Sequence, residues 1–436
     1  MSAFLERFFH LQECGTSVRK EITAALTSFF SIIYIVFVTA AYLSETGMDY
    51  TATLISSCLM AAVGCFLCAS LNSPFILTPG VGLNAFFAYT LCRAMGYSWQ
   101  QALSVILLCS LFCFAIMLTP MRERLLSCIP PSMRNAIAAG LGMFIALIGL
   151  SNSGLVSIST SGLSLGDFSS PSVLLAAIGL LLTGLIMAWK LQGGMLLAIL
   201  LTTLIGIPLG VTLIPESLPA LSFSLEPVFF KFDFPGLFSI GLLPLITAIV
   251  TFSLCLCFDT LGNVLTLSKA GNMLDEKGGV GRNSHVMSFC ALGSAFAACM
   301  GIPALIPPIE CTTGISAGAR TGLHSLCVGL LFLLTILLVP LASLIPAAAT
   351  SPVLIFIGML MIGNATNIYW RDPEFALPCF LAMIMIPFTN SVADGIGIGF
   401  ISYVVVNLLV GKGHRVQKIT YALASLFVVM YVLAAL

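Results

Sequence analysis

The sequence predicts an all-α polytopic membrane protein of about fourteen transmembrane helices, arranged as two inverted seven-helix repeats with broken third and tenth spans. Three observations carry this reading. Only 8% of the 436 residues are charged and 59% are hydrophobic, where a soluble domain carries about 25% charged residues. Apolar stretches of roughly 18 or more residues, the length that crosses a bilayer, recur from end to end. The basic residues fall almost wholly on alternate connecting segments, as they do when cytoplasmic loops collect Lys and Arg.

Residues 1–21 (MSAFLERFFHLQECGTSVRKE) are short, mixed and partly amphipathic. They read as a cytoplasmic or interfacial lead-in, with no cleavable signal peptide. Repeat one, 22–211, holds spans predicted at 22–43, 52–71, 80–95, 100–119, 134–152, 172–189 and 193–211. A proline-rich linker occupies 212–237. Repeat two, 238–411, holds spans at 238–264, 284–300, 308–320, 323–345, 351–366, 374–389 and 392–411. Residues 412–436 form a basic segment and an apolar helix. That helix lies on the membrane surface, crosses it, or replaces one of the last two spans if 374–411 is a single helix broken near Pro387.

With the N-terminus inside, fifteen of the 17 basic residues fall on inside segments. They are Arg7, Arg19 and Lys20; Arg122, Arg124 and Arg134; Lys190; Lys269, Lys277 and Arg282; Arg320; Arg371; and Lys412, Arg415 and Lys418. Arg93 and Lys231 fall outside. Both ends of the main unit are therefore expected in the cytoplasm, in the cell inner (plasma) membrane. Seven is odd, so the second half enters the membrane from the opposite side, which is the topology of an inverted repeat.

The third span opens LTPGVGLNAFFAY (77–89) and the tenth IPPIECTTGISAG (306–318). Proline suits the first turn of a helix and breaks its interior. Pro79 and the Pro307–Pro308 pair thus mark half-helix starts, preceded by extended chain at 76–78 and 304–306. The alternative is that these prolines only kink ordinary spans. Non-helical backbone at that depth must be buried in protein or line a cavity, and two such starts at equivalent repeat positions favour a site for a small polar molecule.

Acids inside spans mark substrate or ion paths by default. Asp259 shares a small polar face with Thr260, Gly262 and Asn263. Glu310 sits in the first turn of its half-helix. There the helix end favours its anion and the apolar surroundings favour its neutral acid, a balance suited to proton coupling. Asp394 follows Asn390 and Ser391 and fits a helix start at least as well. No Walker A loop is present, and GVGLNA (80–85) lacks the βαβ context of a dinucleotide site. Most of the 15 cysteines sit singly in apolar spans, and they and the scattered histidines suggest no metal site or disulfide framework. Gly140 and Gly142 read as close helix packing. Neutral net charge and the absence of a basic run exclude nucleic acid as a partner, and no cofactor is implied.

TPGVGLNAFFAY (78–89), AAGLGMFIALIGLSNSGLV (138–156), FDTLGNV (258–264), ECTTGISAGARTGL (310–323) and DGIGIGFISYVVV (394–406) resemble motifs of the AzgA-like purine permeases. These are the adenine and guanine/hypoxanthine branch of the xanthine/uracil permease superfamily. The resemblance runs from about residue 10 to 412. It implies a core domain of spans one to four and eight to eleven and a gate domain of the remaining spans. It further implies a nucleobase held by Asp259 and Glu310, with Gly80, Asn84, Phe86 and Phe87 nearby, and a homodimer. The chain departs from the family pattern at several points. A Thr-Thr-Tyr-Ile-Glu run is Ile306-Pro307-Pro308-Ile309-Glu310, so a hydroxyl and an aromatic ring are lost beside the ligand. Leu256 replaces a polar residue, Thr39 an asparagine late in span one, and Asn263 a threonine.

The expected function is proton-coupled import of a purine nucleobase, with the bilayer, the base and a proton as partners. The chain is not an enzyme. Asp259 and Glu310 are the proton-coupling groups, and Asp259, Glu310, Gly80, Asn84, Phe86, Phe87, Asn263 and Thr39 are the candidate substrate site. The alternatives are a carrier of another small solute or anion on the same fold, and a non-transporting membrane sensor.

Overall fold

The computed structural model describes residues 2–119, 130–159, 162–191, 193–213, 223–239, 241–274, 284–342 and 344–435. Arg122, Arg124, Lys277 and Arg282, used in the charge argument, and linker residues 214–222 lie outside these.

The chain opens with α1 (Ser2–Phe9) and α2 (Val18–Ile32), which passes through Ile33 into α3 (Tyr34–Ser44), followed by α4 (Tyr50–Ser70). Next come strand β1 (Thr78–Pro79), helix α5 (Val81–Ala85), a π-helical stretch Phe86–Ala94 and α6 (Trp99–Met117). Helix α7 (Pro131–Asn152), hairpin β2 (Val156–Ser159) and β3 (Gly162–Leu165), α8 (Pro171–Ala188) and α9 (Gly194–Gly206) complete the first half.

The second half starts with α10 (Leu242–Ala270) and α11 (Ser284–Cys299). Strand β4 (Leu305–Ile306), a 3-10 turn Ile309–Cys311 and helix α12 (Thr312–Ser316) follow. Then come α13 (Gly322–Thr335), α14 (Val339–Ala342), α15 (Ala347–Ile362), α16 (Pro373–Thr389), α17 (Val392–Leu409) and α18 (Lys418–Ala435). Among the described residues nine helices are long and apolar enough to cross a membrane.

Two expectations need correction. The protein is mostly helical but not purely so, because among the described residues four short strands form two antiparallel pairs. The span expected at 308–320 is only a 3-10 turn and a five-residue helix, ending at Ser316. The cause is local: Pro307 and Pro308 have no N–H to give a helix, and Gly318 turns the chain at φ +111°.

Polar residues at the chain's turns set several helix starts. Asp49 Oδ1 accepts the Ala52 N–H at 2.7 Å and caps α4. Ser98 and Gln101 form a reciprocal capping box on α6, satisfying two donors that a helix start otherwise leaves free. Between α16 and α17 Asn390 takes a left-handed conformation, φ +53°, the common way to end a helix and reverse direction. Gly395 then faces Ile386, and Gly399 faces Ala382, so α16 and α17 are two antiparallel helices. The single helix over 374–411 is thereby excluded. Helix α18 packs separately on α17, with Phe427 over Gly397.

The helices pack as two groups. One contains α2, α3, α4, α6, α10, α11 and α13 around the strands β1 and β4; the other contains α7, α8, α9, α15, α16 and α17. In the second group the backbones of α7 and α15 approach closely, since a Cβ on Gly142 would meet Met361 Cβ at 2.5 Å and Gly358 O at 2.8 Å. Small residues allow this approach, and dispersion between apolar surfaces holds it in lipid. One large hydrophobic core runs through both groups, from Phe29 in α2 to Phe427 in α18, with small separate clusters around Leu11 and around Leu175.

Candidate functional site

The site is built where the two broken segments cross. Strands β1 and β4 pair antiparallel, Thr78 opposite Ile306 and Pro79 opposite Leu305. The Gly80 N–H donates to Ala304 O at 3.1 Å. The backbone nitrogens of the Pro79–Leu305 pair therefore point away from each other, and proline costs no ladder hydrogen bond there. The outward Leu305 N–H is taken up by Ser294 Oγ of α11 at 2.9 Å. Extended backbone this deep in the bundle thus has its partners, as an apolar interior demands.

His324 anchors the approach to β1. Its Nδ1 lies 2.9 Å from Pro74 O and its Nε2 2.9 Å from Ser28 Oγ. A carbonyl only accepts, so Nδ1 carries the proton and Nε2 accepts from the serine. Ser325 Oγ lies 2.7 Å from both Ser73 O and Phe75 O. One turn of α13 therefore clamps residues 73–75.

Just beyond the crossing lies a cavity of about 550 Å³ at the seam between the two helix groups. Asp259 enters from α10, Glu310 from the 3-10 turn, Gly80 from the end of β1 and Met361 from α15; Lys190 stands at the α8–α9 turn. Asn263, one helical turn after Asp259, donates from Nδ2 to Asp259 Oδ1 at 3.3 Å. Tyr34, fully buried at the start of α3, donates from its hydroxyl to Glu310 Oε1 at 2.6 Å. Two carboxyls facing one cavity, each with part of its acceptor capacity still free, can take N–H groups from a small polar molecule. Among the described residues no group of acids, histidines and cysteines could hold a metal ion.

Of the residues singled out from the sequence, Gly80, Asp259, Asn263 and Glu310 line this cavity. The other four lie behind its wall. Asn84 Nδ2 donates to Thr39 Oγ1 at 2.9 Å, and both side chains are fully buried. Phe86 packs edge-on against Phe252, with centroids 5.5 Å apart, and Phe87 is buried. Asp394 lies in the first turn of α17, which Ser391 caps, and Tyr431 donates to its Oδ1 at 3.2 Å.

Sequence reasoning passed over three residues here. Tyr34 looks like one more aromatic in an apolar run. Lys190 was used only as a marker of topology. Glu21, at the start of α2, is fully buried and accepts the Arg320 N–H at 2.9 Å. Its signal was available, as an acid at the edge of an apolar span.

A second cavity of about 850 Å³ opens at the opposite end, lined by Tyr89, Arg93, Asn152 and Asn390. Helices α7 and α8 are consecutive and antiparallel, so Asn152 at the end of α7 lies far from Lys190 at the end of α8. At its edge Glu45 accepts from Tyr89 at 2.8 Å and from Asn152 at 2.6 Å, joining the two helix groups.

A model of the permease family named for xanthine and uracil matches residues 19–398. The chain is 34% identical to the adenine permease AdeP of Escherichia coli, over 98% of this chain and 96% of that protein. It is also 34% identical to the guanine/hypoxanthine permease PbuG of Bacillus subtilis, over 98% of this chain and 99% of that protein. Among solved structures, the transmembrane domain of the cyanobacterial bicarbonate transporter BicA superposes with a TM-score of 0.64 at 17% identity, covering 87% of this chain and 97% of that one. The murine anion transporter Slc26a9 gives 0.63 at 13% identity, covering 90% and 68%. The last two likenesses concern the fold.

Proposed function

Because the chain belongs to the xanthine/uracil permease family, which it matches over most of its length, we propose that it imports purine nucleobases as a secondary active transporter. Relatives of nearly equal length are adenine and guanine/hypoxanthine permeases. The observation that carries the substrate reading is the pair Asp259 and Glu310 on one cavity between the two helix groups. Purines present ring N–H and amino donors, which two carboxyl groups accept. An anion carrier would gain nothing from two acids there, whatever the likeness of fold.

In this reading fourteen crossings form two inverted repeats, and the antiparallel meeting of β1 and β4 at equivalent positions supports it. The helix group around the strands acts as the core and the other as the gate. The cavity opens beside Lys190, which the charge pattern assigns to the cytoplasm together with both ends of the main unit, so this is an inward-open state in the plasma membrane. A proton taken by the acids removes the cost of moving buried negative charge with the base, and makes the transporter a proton symporter. Gly80 and Asn263 complete the site, while Asn84, Thr39, Phe86 and Phe87 support it from behind. A homodimer is the proposed assembly.

The test is uptake of radiolabelled adenine, guanine and hypoxanthine by cells lacking their own purine permeases, with unlabelled bases as competitors. Saturable uptake of at least one base, lost in a Glu310→Gln, Asp259→Asn double variant that still reaches the membrane, is expected. No uptake of any purine by the wild type would defeat the reading and favour another solute or a sensor.

A further inference from the structure

The run before Glu310 is Ile306-Pro307-Pro308-Ile309, four residues whose side chains have no hydrogen-bond donor to offer the carboxyl. The structure fills that gap from elsewhere in the chain. Tyr34, 276 positions away on α3, brings both an aromatic ring and a hydroxyl to the same carboxyl, 2.6 Å from Oε1. Its side chain is fully buried, so it meets Glu310 from the wall of the cavity. A hydrogen bond to a carboxylate is among the stronger ones in proteins, and this one has little competition from water.

Resting on the purine reading above, we propose that Tyr34 is the specificity-determining residue of the site. By holding Oε1 against the wall it occupies one of that oxygen's two acceptor positions and fixes its direction, leaving Oε2 as the freer acceptor for the base. The donor arrangement of the 6-oxopurines gives this a consequence. Hypoxanthine shows a single N1–H at that edge. Guanine shows N1–H and an adjacent 2-amino N–H, a parallel pair that matches both oxygens of a free carboxylate. With Oε1 engaged, the extra amino group of guanine gains little and the two bases bind alike. With Oε1 released, guanine gains a second charge-assisted hydrogen bond and hypoxanthine does not. Tyr34 touches the acid and acts through it, so it is a positioning residue.

The experiment measures the guanine-to-hypoxanthine affinity ratio on purified protein, by competition against a radiolabelled base, for wild type, Tyr34→Phe and Tyr34→Met. Phenylalanine keeps the ring; methionine also lacks the hydroxyl and fills the space adaptably, so one variant suffices if the other does not fold. A shift of roughly tenfold toward guanine is expected in either, the size of one hydrogen bond to a charged group. In a Glu310→Gln background the Tyr34 substitution is expected to leave the ratio unmoved. An unchanged ratio in both Tyr34 variants, with wild type binding purines, overturns the inference and leaves the permease reading intact. A shift that persists in the Glu310→Gln background overturns it as well, because Tyr34 would then act by another route. Absence of purine binding by the wild type is a different result and defeats the functional reading itself.

Discussion

Ser294 Oγ, on α11, sits 2.9 Å from the backbone nitrogen of Leu305 and accepts its N–H. The same hydroxyl lies 2.7 Å from Cys290 O, to which it donates. Leu305 faces Pro79 in the strand pair, and its N–H points out of the ladder into fully buried surroundings. Ser294→Ala leaves that donor without a partner. An orphaned buried donor costs about 1–3 kcal/mol, so the variant is expected to unfold several degrees lower in detergent. The same change at the exposed Ser70, whose hydroxyl only bonds back within its own helix, should leave the midpoint where it is. Equal midpoints for Ser294→Ala and wild type would show that the crossing does not depend on this bond.

The α7–α15 contact gives a second prediction. Gly142 faces the Gly358 carbonyl, and a Cβ on Gly358 would in turn meet Ala146 Cβ at 2.7 Å. There is no flexible side-chain end to move aside. Overpacking of this kind costs about 1–3 kcal/mol or more. Gly142→Val is expected to reduce the folded yield sharply, while Gly184→Val, at a position open on every side, should be tolerated. Size-exclusion profiles of the two variants in the same detergent decide it.

Much of this architecture was legible in the sequence, and the parts that were not have a physical cause. Asp259 and Glu310 stood out because an acid in an apolar run is costly and rarely incidental. Pro79 and Pro308 marked the broken spans because proline forbids the helix interior. The strand pair itself was invisible. Two-residue strands more than 200 positions apart carry no periodicity, and only the folded chain shows that Thr78 meets Ile306. Tyr34 was hidden for another reason, since a tyrosine in an apolar span is ordinary until its hydroxyl is found on a carboxylate. Phe86 and Phe87 were placed beside the ligand by family likeness, but both are buried in the bundle interior, Phe86 against Phe252.

The two acids are expected to behave differently when neutralised. Asp259→Asn removes a charged acceptor, and loss of one hydrogen bond to charge is about 1.5–3 kcal/mol. Its KM for the transported base should rise by about tenfold or more. Glu310→Gln is fixed in a neutral form and cannot take up a proton. Residual uptake in that variant should no longer vary with external pH, while the wild type takes up more base in acid. Initial rates between pH 5 and pH 8 separate the outcomes. A Glu310→Gln profile as steep as wild type would remove Glu310 from the coupling step.

At the other end of the molecule, Glu45 ties the two helix groups together by accepting from Asn152 of α7 at 2.6 Å and from Tyr89 of the third span at 2.8 Å. In the inward-open state proposed above these bonds would close the outer side, and would have to break before a base could enter from outside. Glu45 is exposed, which screens its charge and limits each bond to about 1 kcal/mol or less. Breaking the Asn152 bond should therefore move the inward-to-outward balance by at most about fivefold. Asn152→Ala is expected to lower the apparent KM for external base severalfold, because more molecules wait with the outer side open. Glu45→Gln should act in the same direction and more strongly, since the bonds to both partners lose their charge. Uptake kinetics normalised to the amount of transporter at the cell surface test this. A KM that rises or stays constant in Asn152→Ala would mean that the outer contact merely accompanies closure, and that the balance is set at the Lys190 end.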